Sequence, residues 1–407
     1  MMSEKTCRVC RSQSISELMA FGMLPVTTVL HKSHSDRDYI NDLTLDSCGD
    51  CGFVFIRHPI LSSEFYDEYH WMSSANPAPH LMPLRDELIK NFLNSSTDLI
   101  MEVGSNDGLL LSLFKEKGFS NVLAIEPAQN CAKASRARGI PTLNDYFNEG
   151  VARKIKADYG TPKIILCRHV LEHIFNLDSF ISSMTFLMKG TETVLALEVP
   201  SFEIMSRKGD ILLVWEQHIN YFEAETLQIL CERHGLSVFQ TETVPHGGGS
   251  LLFHARMGEK ADRDRHARTI DAPKLFKKCA RVNIQSIGDR FLEIRKQGKK
   301  IVAYGAGMRG GCIMNLTKAH RFFECIVDDS QEKSGLFSPN GKLEIKNSDY
   351  LITNKPEFCV VMPLSSKETE KNIQAKHQAY VQGGGTFIEL FPGDYRDSGL
   401  FTEKQLS

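Results

Sequence analysis

The residues most able to do chemistry fall into three groups, and the first is four cysteines. Cys7-x-x-Cys10 and Cys48-x-x-Cys51 form two knuckles separated by a long insertion. Each such turn presents two sulfurs to one side of an ion, and four thiolates surround Zn²⁺ tetrahedrally with no position left open. Cys7, Cys10, Cys48 and Cys51 are therefore expected to hold a structural zinc. The competing reading is redox or unpaired thiols. The gap between the pairs is longer than usual, so the insertion is expected to form its own hairpin.

The second group is a glycine turn, Glu102-Val103-Gly104-Ser105-Asn106-Asp107-Gly108, between a strand-like run and the helical Leu109 to Phe114. Glycine permits sharp reversal and close approach by a ligand. A dinucleotide turn reads G-x-G-x-x-G. Here the glycines are four apart with polar residues between, which suits the small cationic tail of S-adenosylmethionine better than a pyrophosphate. Glu126 ends the next strand, where a carboxylate accepts from ribose hydroxyls. Asn144-Asp145-Tyr146-Phe147 ends a third strand-like position and is expected to border the adenine, with Asn144 and Asp145 assigned to cofactor binding. Arg168-His169-Val170-Leu171-Glu172-His173 closes a fourth, with His169 assigned to the cofactor side and His173 read as an ordinary helix-start residue. Ligands of doubly wound sheets bind at the carboxyl ends of the strands, so these places converge.

Apolar strand patterns at 98–103, 121–125, 164–167 and 194–199 alternate with helical ones, the first helix being expected over 84–93. Such alternation predicts an α/β fold with a parallel sheet covered by helices. The pattern restarts at 300–304, 325–327 and 358–362. The expected organisation is a zinc-binding module over 1–75 and a Rossmann-like S-adenosylmethionine domain over 76–257. A linker and long helix over 258–295 and a C-terminal Rossmann-like domain over 296–407 follow. The net charge of −2 with scattered Lys and Arg argues against nucleic acid as a partner. No stretch reaches the roughly 18 apolar residues of a membrane span. The start of the chain lacks an apolar signal core, and the remaining cysteines sit within apolar segments, which suits a cytoplasmic location.

In the order of its motifs the chain resembles the bacterial sugar C-methyltransferases that act on nucleotide-linked keto-deoxysugars. The resemblance runs through both cysteine pairs, Tyr66-Asp67-Glu68-Tyr69 with Ser73-Ser74, the turn from Glu102 to Gly108, Gln217-His218-Ile219-Asn220-Tyr221-Phe222, Gly248-Gly249-Ser250-Leu251 and Tyr304-Gly305-Ala306. It implies a zinc module, a methyl-donor domain and a C-terminal domain that helps enclose a sugar nucleotide. It also implies that His218, matching the histidine of an E-H-x-x-Y-F motif, is the general base. The chain departs from that motif at Gln217, where the family has glutamate, and at Trp215, where it has tyrosine.

Carbon methylation beside a ketone needs a base to remove a weakly acidic proton. His218 suits that task because an imidazole is largely neutral near pH 7. Glu216 is expected to orient that imidazole or to act as base itself, Glu172 being the other carboxylate for this role. Gln217 and Tyr221 are expected to donate hydrogen bonds to the enolate oxygen. Tyr69, Trp215, His246 and Arg309 are assigned to acceptor binding. A second turn, Gly305-Ala306-Gly307-Met308-Arg309-Gly310 with Asp328 and Asp329 beyond it, reads as G-x-G-x-x-G. It admits two readings: a shell for substrate phosphates, or an NAD site belonging to an oxidoreductase. O-methylation of a small molecule, served by His218 alone, is a further alternative, as is a non-catalytic binding module that keeps the fold.

Overall fold

The computed structural model describes residues 6–60, 77–258, 271–339, 341–362 and 367–389. The hairpin demanded by the cysteine spacing is present. Strand β1 (Ile15–Pro25) pairs antiparallel with β2 (Ile40–Cys48), with Ile15 opposite Cys48, so the chain folds its second knuckle back on the first. Strand β3 (Val54–Ile56) continues this sheet.

The central strands are β4 (Ile100–Val103), β5 (Val122–Ile125), β6 (Thr142–Leu143), β7 (Ile164–Arg168) and β8 (Val194–Pro200). After β9 (Asn220–Tyr221) come β10 (Leu236–Val244) and β11 (Ser250–Met257). The seven-stranded sheet has the order β10-β11-β8-β7-β4-β5-β6. β8, β7, β4, β5 and β6 run parallel; β11 and β10 are antiparallel additions. Residues of β4, β5 and β7 are almost wholly apolar and buried, as strands covered on both faces must be. Chain order reverses at β4, which leaves a crevice at its carboxyl end beside β5 and β7.

Strand β9 does not join this sheet. It pairs with β3, so the cysteine-bearing sheet has the order β1-β2-β3-β9. The sheet thus crosses the division expected after residue 75, and the segment around His218 is carried by the knuckle region. Most of the expected linker lies outside the described residues. The long helix beyond it runs from Ala272 to Lys296 and packs on the helix Phe202–Lys208.

A third sheet is wholly parallel: β12 (Ile301–Tyr304), β13 (Ile326–Asp328), β14 (Ile345–Asn347), β15 (Phe358–Val361) and β16 (Thr386–Glu389), in the order β14-β13-β12-β15-β16. Its second glycine turn follows the central strand β12. The hairpin of the first sheet also touches this region: His31 and Phe337 exchange backbone hydrogen bonds of 2.8 Å.

One helix boundary differs from expectation. The first helix spans Leu81–Phe92, starting ahead of Pro83 rather than after it. A proline in the first turn removes no intrahelical hydrogen bond, because the N–H there has no partner. Among the described residues no helix is long and apolar enough to cross a membrane.

Candidate active site

A cavity of about 650 Å³ lies at the carboxyl ends of β4, β5 and β7. The first glycine turn forms one wall through Glu102, Gly104, Ser105 and Asn106. Gly104 has φ of 69°, and a Cβ there would lie 2.4 Å from Val170 Cγ2, so glycine is required for both conformation and packing. Gly108 and Asp107 serve the turn from behind. Gly108 caps the following helix at φ of 74°, where a Cβ would meet Ser135 Oγ at 2.5 Å. Asp107 is buried and paired with Arg138 at 2.8 Å.

Glu102 is buried, and its Oε2 has no hydrogen-bond partner among the described residues. Burial pushes its carboxyl up to about 8 against the pull of Arg168 at 3.9 Å. An unsatisfied buried carboxylate on a cavity wall is suited to an ammonium group, the charge carried by the tail of S-adenosylmethionine. Glu126 sits on the opposite lip; its Oε2 accepts from Asn106 N–H (2.8 Å) and its Oε1 from Ala128 N–H (2.9 Å). Both oxygens keep acceptor capacity toward hydroxyls.

At the third strand end, Asn144 and Asp145 are corrected, while Tyr146 and Phe147 of the same segment line the cavity. Asn144 donates to the Glu126 and Pro127 carbonyls (2.9 and 2.8 Å), and Asp145 accepts from Tyr146 N–H (2.8 Å). These two polar side chains brace the loop, while the cavity wall is made by Tyr146 and Phe147, the residues beside them.

The acceptor side is a cluster of rings in edge-on and tilted contact. His218, Trp215 and His173 form a triangle of rings, with the His218 centroid 4.9 Å from that of Trp215 and 5.0 Å from that of His173 and those two 6.2 Å apart, and all three line the cavity. Burial, reinforced by His173 and His169, holds the His218 imidazole well below its ordinary value, so it is neutral and basic at pH 7. His173 Nδ1 lies 2.8 Å from the Gln217 carbonyl, which only accepts. Nδ1 therefore carries the proton, and Nε2 presents a lone pair. His173, set aside in the sequence as a helix-start residue, thus belongs to this wall.

Three residues expected beside His218 are elsewhere. The Glu216 carboxylate turns to Thr27, accepting from its N–H (2.9 Å) and its hydroxyl (2.9 Å), and does not line the cavity. Gln217 donates to Thr28 Oγ1 at 3.3 Å. Tyr221, on β9, packs against Phe202 with centroids 5.8 Å apart and burial that raises its phenol. Residues 215–217 form a turn closed by the His218 N–H donating to the Trp215 carbonyl (3.1 Å), so Glu216 and Gln217 leave the chain toward the hairpin while His218 faces the cavity.

Arg8, between the first two cysteines, fixes the segment from behind. Its guanidinium donates to the Ile219 carbonyl (3.1 Å), Asn220 Oδ1 (3.0 Å) and the Ile56 carbonyl (3.0 Å). The cysteine sulfurs converge beside it, Cys7–Cys51 at 3.6 Å and Cys10–Cys48 at 3.5 Å, with all four within 4.8 Å of one another. These separations are close to the roughly 3.8 Å sulfur spacing of a tetrahedral ion with Zn–S bonds near 2.3 Å.

His169, His246 and Arg309 also reach the cavity, as do Gly305, Gly307 and Met308 of the second turn. His169 has φ of 53° and lies between Glu172 (3.2 Å) and Glu198 (3.1 Å). Burial opposes its charge, but these two carboxylates outweigh burial and raise it to about 9. Tyr69 lies outside the described residues.

Residues 80–241 match a methyltransferase domain family, and residues 247–392 match the C-methyltransferase C-terminal domain family. The chain is 23% identical over 405 residues to the C-methyltransferase NovU of Streptomyces niveus, covering 95% of each. The chain is an S-adenosylmethionine-dependent C-methyltransferase. Among solved structures, the enzyme aligns with magnesium protoporphyrin IX methyltransferase of Synechocystis (12% identity, 43% of this chain and 77% of that one, TM-score 0.32). It also aligns with an S-adenosylmethionine-dependent methyltransferase of Mesorhizobium loti (12% identity, 43% and 99%, TM-score 0.33). Carbon as acceptor atom sets aside the O-methylating, oxidoreductase and non-catalytic alternatives.

Sequence reasoning also passed over Arg8, His80 and Glu198. Glu198 was findable: it is the one acid inside the apolar run 194–199, at the end of a strand neighbouring the site. Arg8 carried no signal, since its partners, two backbone carbonyls and the Asn220 side chain, lie far away in the chain.

Proposed function

We propose that this enzyme methylates the carbon beside the ketone of a nucleotide-linked deoxysugar, through an enolate generated by His218. The observation that carries the reading is that both glycine turns open onto one cavity with His218 on its wall. The donor turn and the turn at Gly305 then receive the two halves of one reaction. A volume of about 650 Å³ suits small-molecule ligands, whose sites span roughly 300–1,000 Å³.

S-adenosylmethionine, when bound, supplies an electrophilic methyl group. Glu102 takes its ammonium, Glu126 its ribose hydroxyls, and Tyr146 and Phe147 flank its adenine. At the acceptor, neutral His218 removes the proton next to the ketone, and His173 lies beside it in the same ring cluster. The nucleophilic carbon must then stand about 3 Å from the methyl group. The N-terminus of the helix Met308–Thr317, with Arg309 beside it, favours the diphosphate of the carrier. The four cysteines hold a structural zinc that fixes Arg8 and, through it, the His218 segment. The enzyme acts in the cytoplasm, where such nucleotide-linked sugars and reduced thiols coexist.

The test is proton exchange. Incubated in heavy water with a nucleotide-linked 4-keto sugar and no methyl donor, the enzyme is expected to exchange the proton beside the ketone, and His218→Ala to abolish that exchange. Absence of exchange in the wild type, with methyl transfer proceeding once donor is added, would refute the enolate route.

A further inference from the structure

Three imidazoles converge on one buried carboxylate at the edge of the cavity, and the methyl-transfer chemistry uses none of them. Glu198, at the end of β8, is fully buried. His169 Nε2 lies 3.1 Å from its Oε1, and His80 Nε2 lies 3.2 Å from the same carboxylate. The His246 ring stands against both, with centroids 4.9 Å from His169 and 5.0 Å from His80. The ligating atoms of His169, Glu198 and His246 all lie within 4.8 Å of one another. Three separate elements deliver them: the end of β7, the end of β8 and the turn between β10 and β11.

We propose that His169, Glu198 and His246 bind a divalent ion of the zinc class. Four-coordinate zinc with bonds of about 2.0–2.1 Å sets its ligand atoms roughly 3.3 Å apart. The His169–Glu198 separation already fits, and a turn of the His246 ring closes the third corner. Two imidazoles and one carboxylate form a donor set for zinc, cobalt or iron rather than for calcium or magnesium.

The surroundings have the features of a metal's supporting shell. His169 Nδ1 is 3.2 Å from Glu172 Oε1, so that second carboxylate fixes the ring and turns Nε2 toward Glu198. Arg168 Nε binds Glu198 Oε2 at 2.6 Å, which anchors the carboxylate, and the ion would take the place between Oε1 and the His169 nitrogen 3.1 Å from it, with His80 Nε2 at 3.2 Å supporting the same oxygen. The His169 backbone N–H donates to the Glu198 carbonyl at 2.8 Å, holding the two ligands in register despite the left-handed backbone at His169. Both imidazoles line the cavity, so the fourth position faces bound ligand. Three protein ligands and one open position is the arrangement of a reactive zinc site, unlike the closed cysteine cluster.

The test uses the full chain saturated with Zn²⁺, freed of excess ion and assayed for bound metal. Wild type is expected to hold one more ion per chain than His246→Ala, whatever the cysteine cluster retains. Co²⁺ gives a second readout: the histidine site contributes visible bands without the intense near-ultraviolet thiolate absorption, and His246→Ala removes only those bands. Equal metal content in the two proteins would overturn the proposal, leaving His169 as a protonated clamp between two carboxylates. Wild type showing cobalt absorption of the thiolate kind alone would overturn it too, without recourse to any variant.

Discussion

Replacing Arg8 with alanine is expected to disable the acceptor half of the enzyme while sparing the donor half. The side chain is buried and makes three hydrogen bonds of 3.0–3.1 Å, two of them to the segment that follows His218. Hydrogen bonds from a charged donor contribute about 1.5–3 kcal/mol each, and a buried acceptor left unpaired costs about 1–3 kcal/mol. These are not additive; a loss of about 3–5 kcal/mol is expected for the sheet that carries β9. A shift of about 1 Å at His218 costs roughly 100-fold in rate, so kcat is expected to fall about that far. Affinity for S-adenosylmethionine is expected to stay within about twofold, because Glu102 and Glu126 stand on other strands. Arg8→Lys keeps the charge but lacks the fork, and is expected to recover only part of the loss. Denaturant unfolding followed by fluorescence of Trp215, whose ring is 4.9 Å from that of His218, reads the segment directly. An unchanged unfolding midpoint, or a donor affinity that falls as far as kcat, would refute the linkage.

Three further outcomes are expected. Ionised Glu102 is the form that takes an ammonium, and its free-enzyme value is raised to about 8; donor affinity should therefore climb about tenfold per pH unit up to about 8 and then level. Calorimetry in buffers of different ionisation heat checks the accompanying proton release, and Glu102→Gln should abolish the slope. Because His218 is held well below the ordinary histidine value, it stays basic as the pH falls. With S-adenosylmethionine saturating, the acid limb of kcat/KM for the acceptor should therefore lie below pH 6.5, and a limb at or above that value contradicts the assignment. A Cβ at Gly307 meets nothing within 4 Å in the structure. Gly307→Val should thus leave thermal stability intact while weakening acceptor-nucleotide binding more than tenfold, and titration with NAD should give no heat.

The two α/β sheets were legible because their strands are continuous apolar runs, the pattern that burial on both faces demands. The donor turn was legible because its glycine, acid and strand context are local in the chain. Strands β14 and β16 escaped notice: each is three or four residues of mixed polarity at a sheet edge. The acceptor wall was legible only in part, for a physical reason. His218 is flanked by polar residues whose types suit catalysis equally well, and a sequence does not state which way a two-residue strand such as β9 faces. Its pairing with β3, more than 160 residues earlier, sends Tyr221 into the core and Glu216 to Thr27.

That pairing places the cysteine knuckles directly behind the segment that carries His218. Phe53 and Phe55, next to Cys51, stack with one another at 5.8 Å, and Phe53 meets Phe222 at 5.2 Å. Arg8 completes the connection to Ile219. Stripping the metal leaves four thiols with no ion to hold the two knuckles together. The strain must be felt first at β3 and β9, which pair directly with the knuckle sheet, and only later at the central sheet, although the cysteines and Phe53 pack into the same apolar core as its strands. Graded chelation is therefore expected to abolish proton exchange beside the ketone before it lowers the affinity for S-adenosylmethionine, and added Zn²⁺ to restore it. Elemental analysis alongside both assays orders the events. Loss of donor binding at or before loss of exchange would show that the knuckles support the whole fold and have no particular hold on His218.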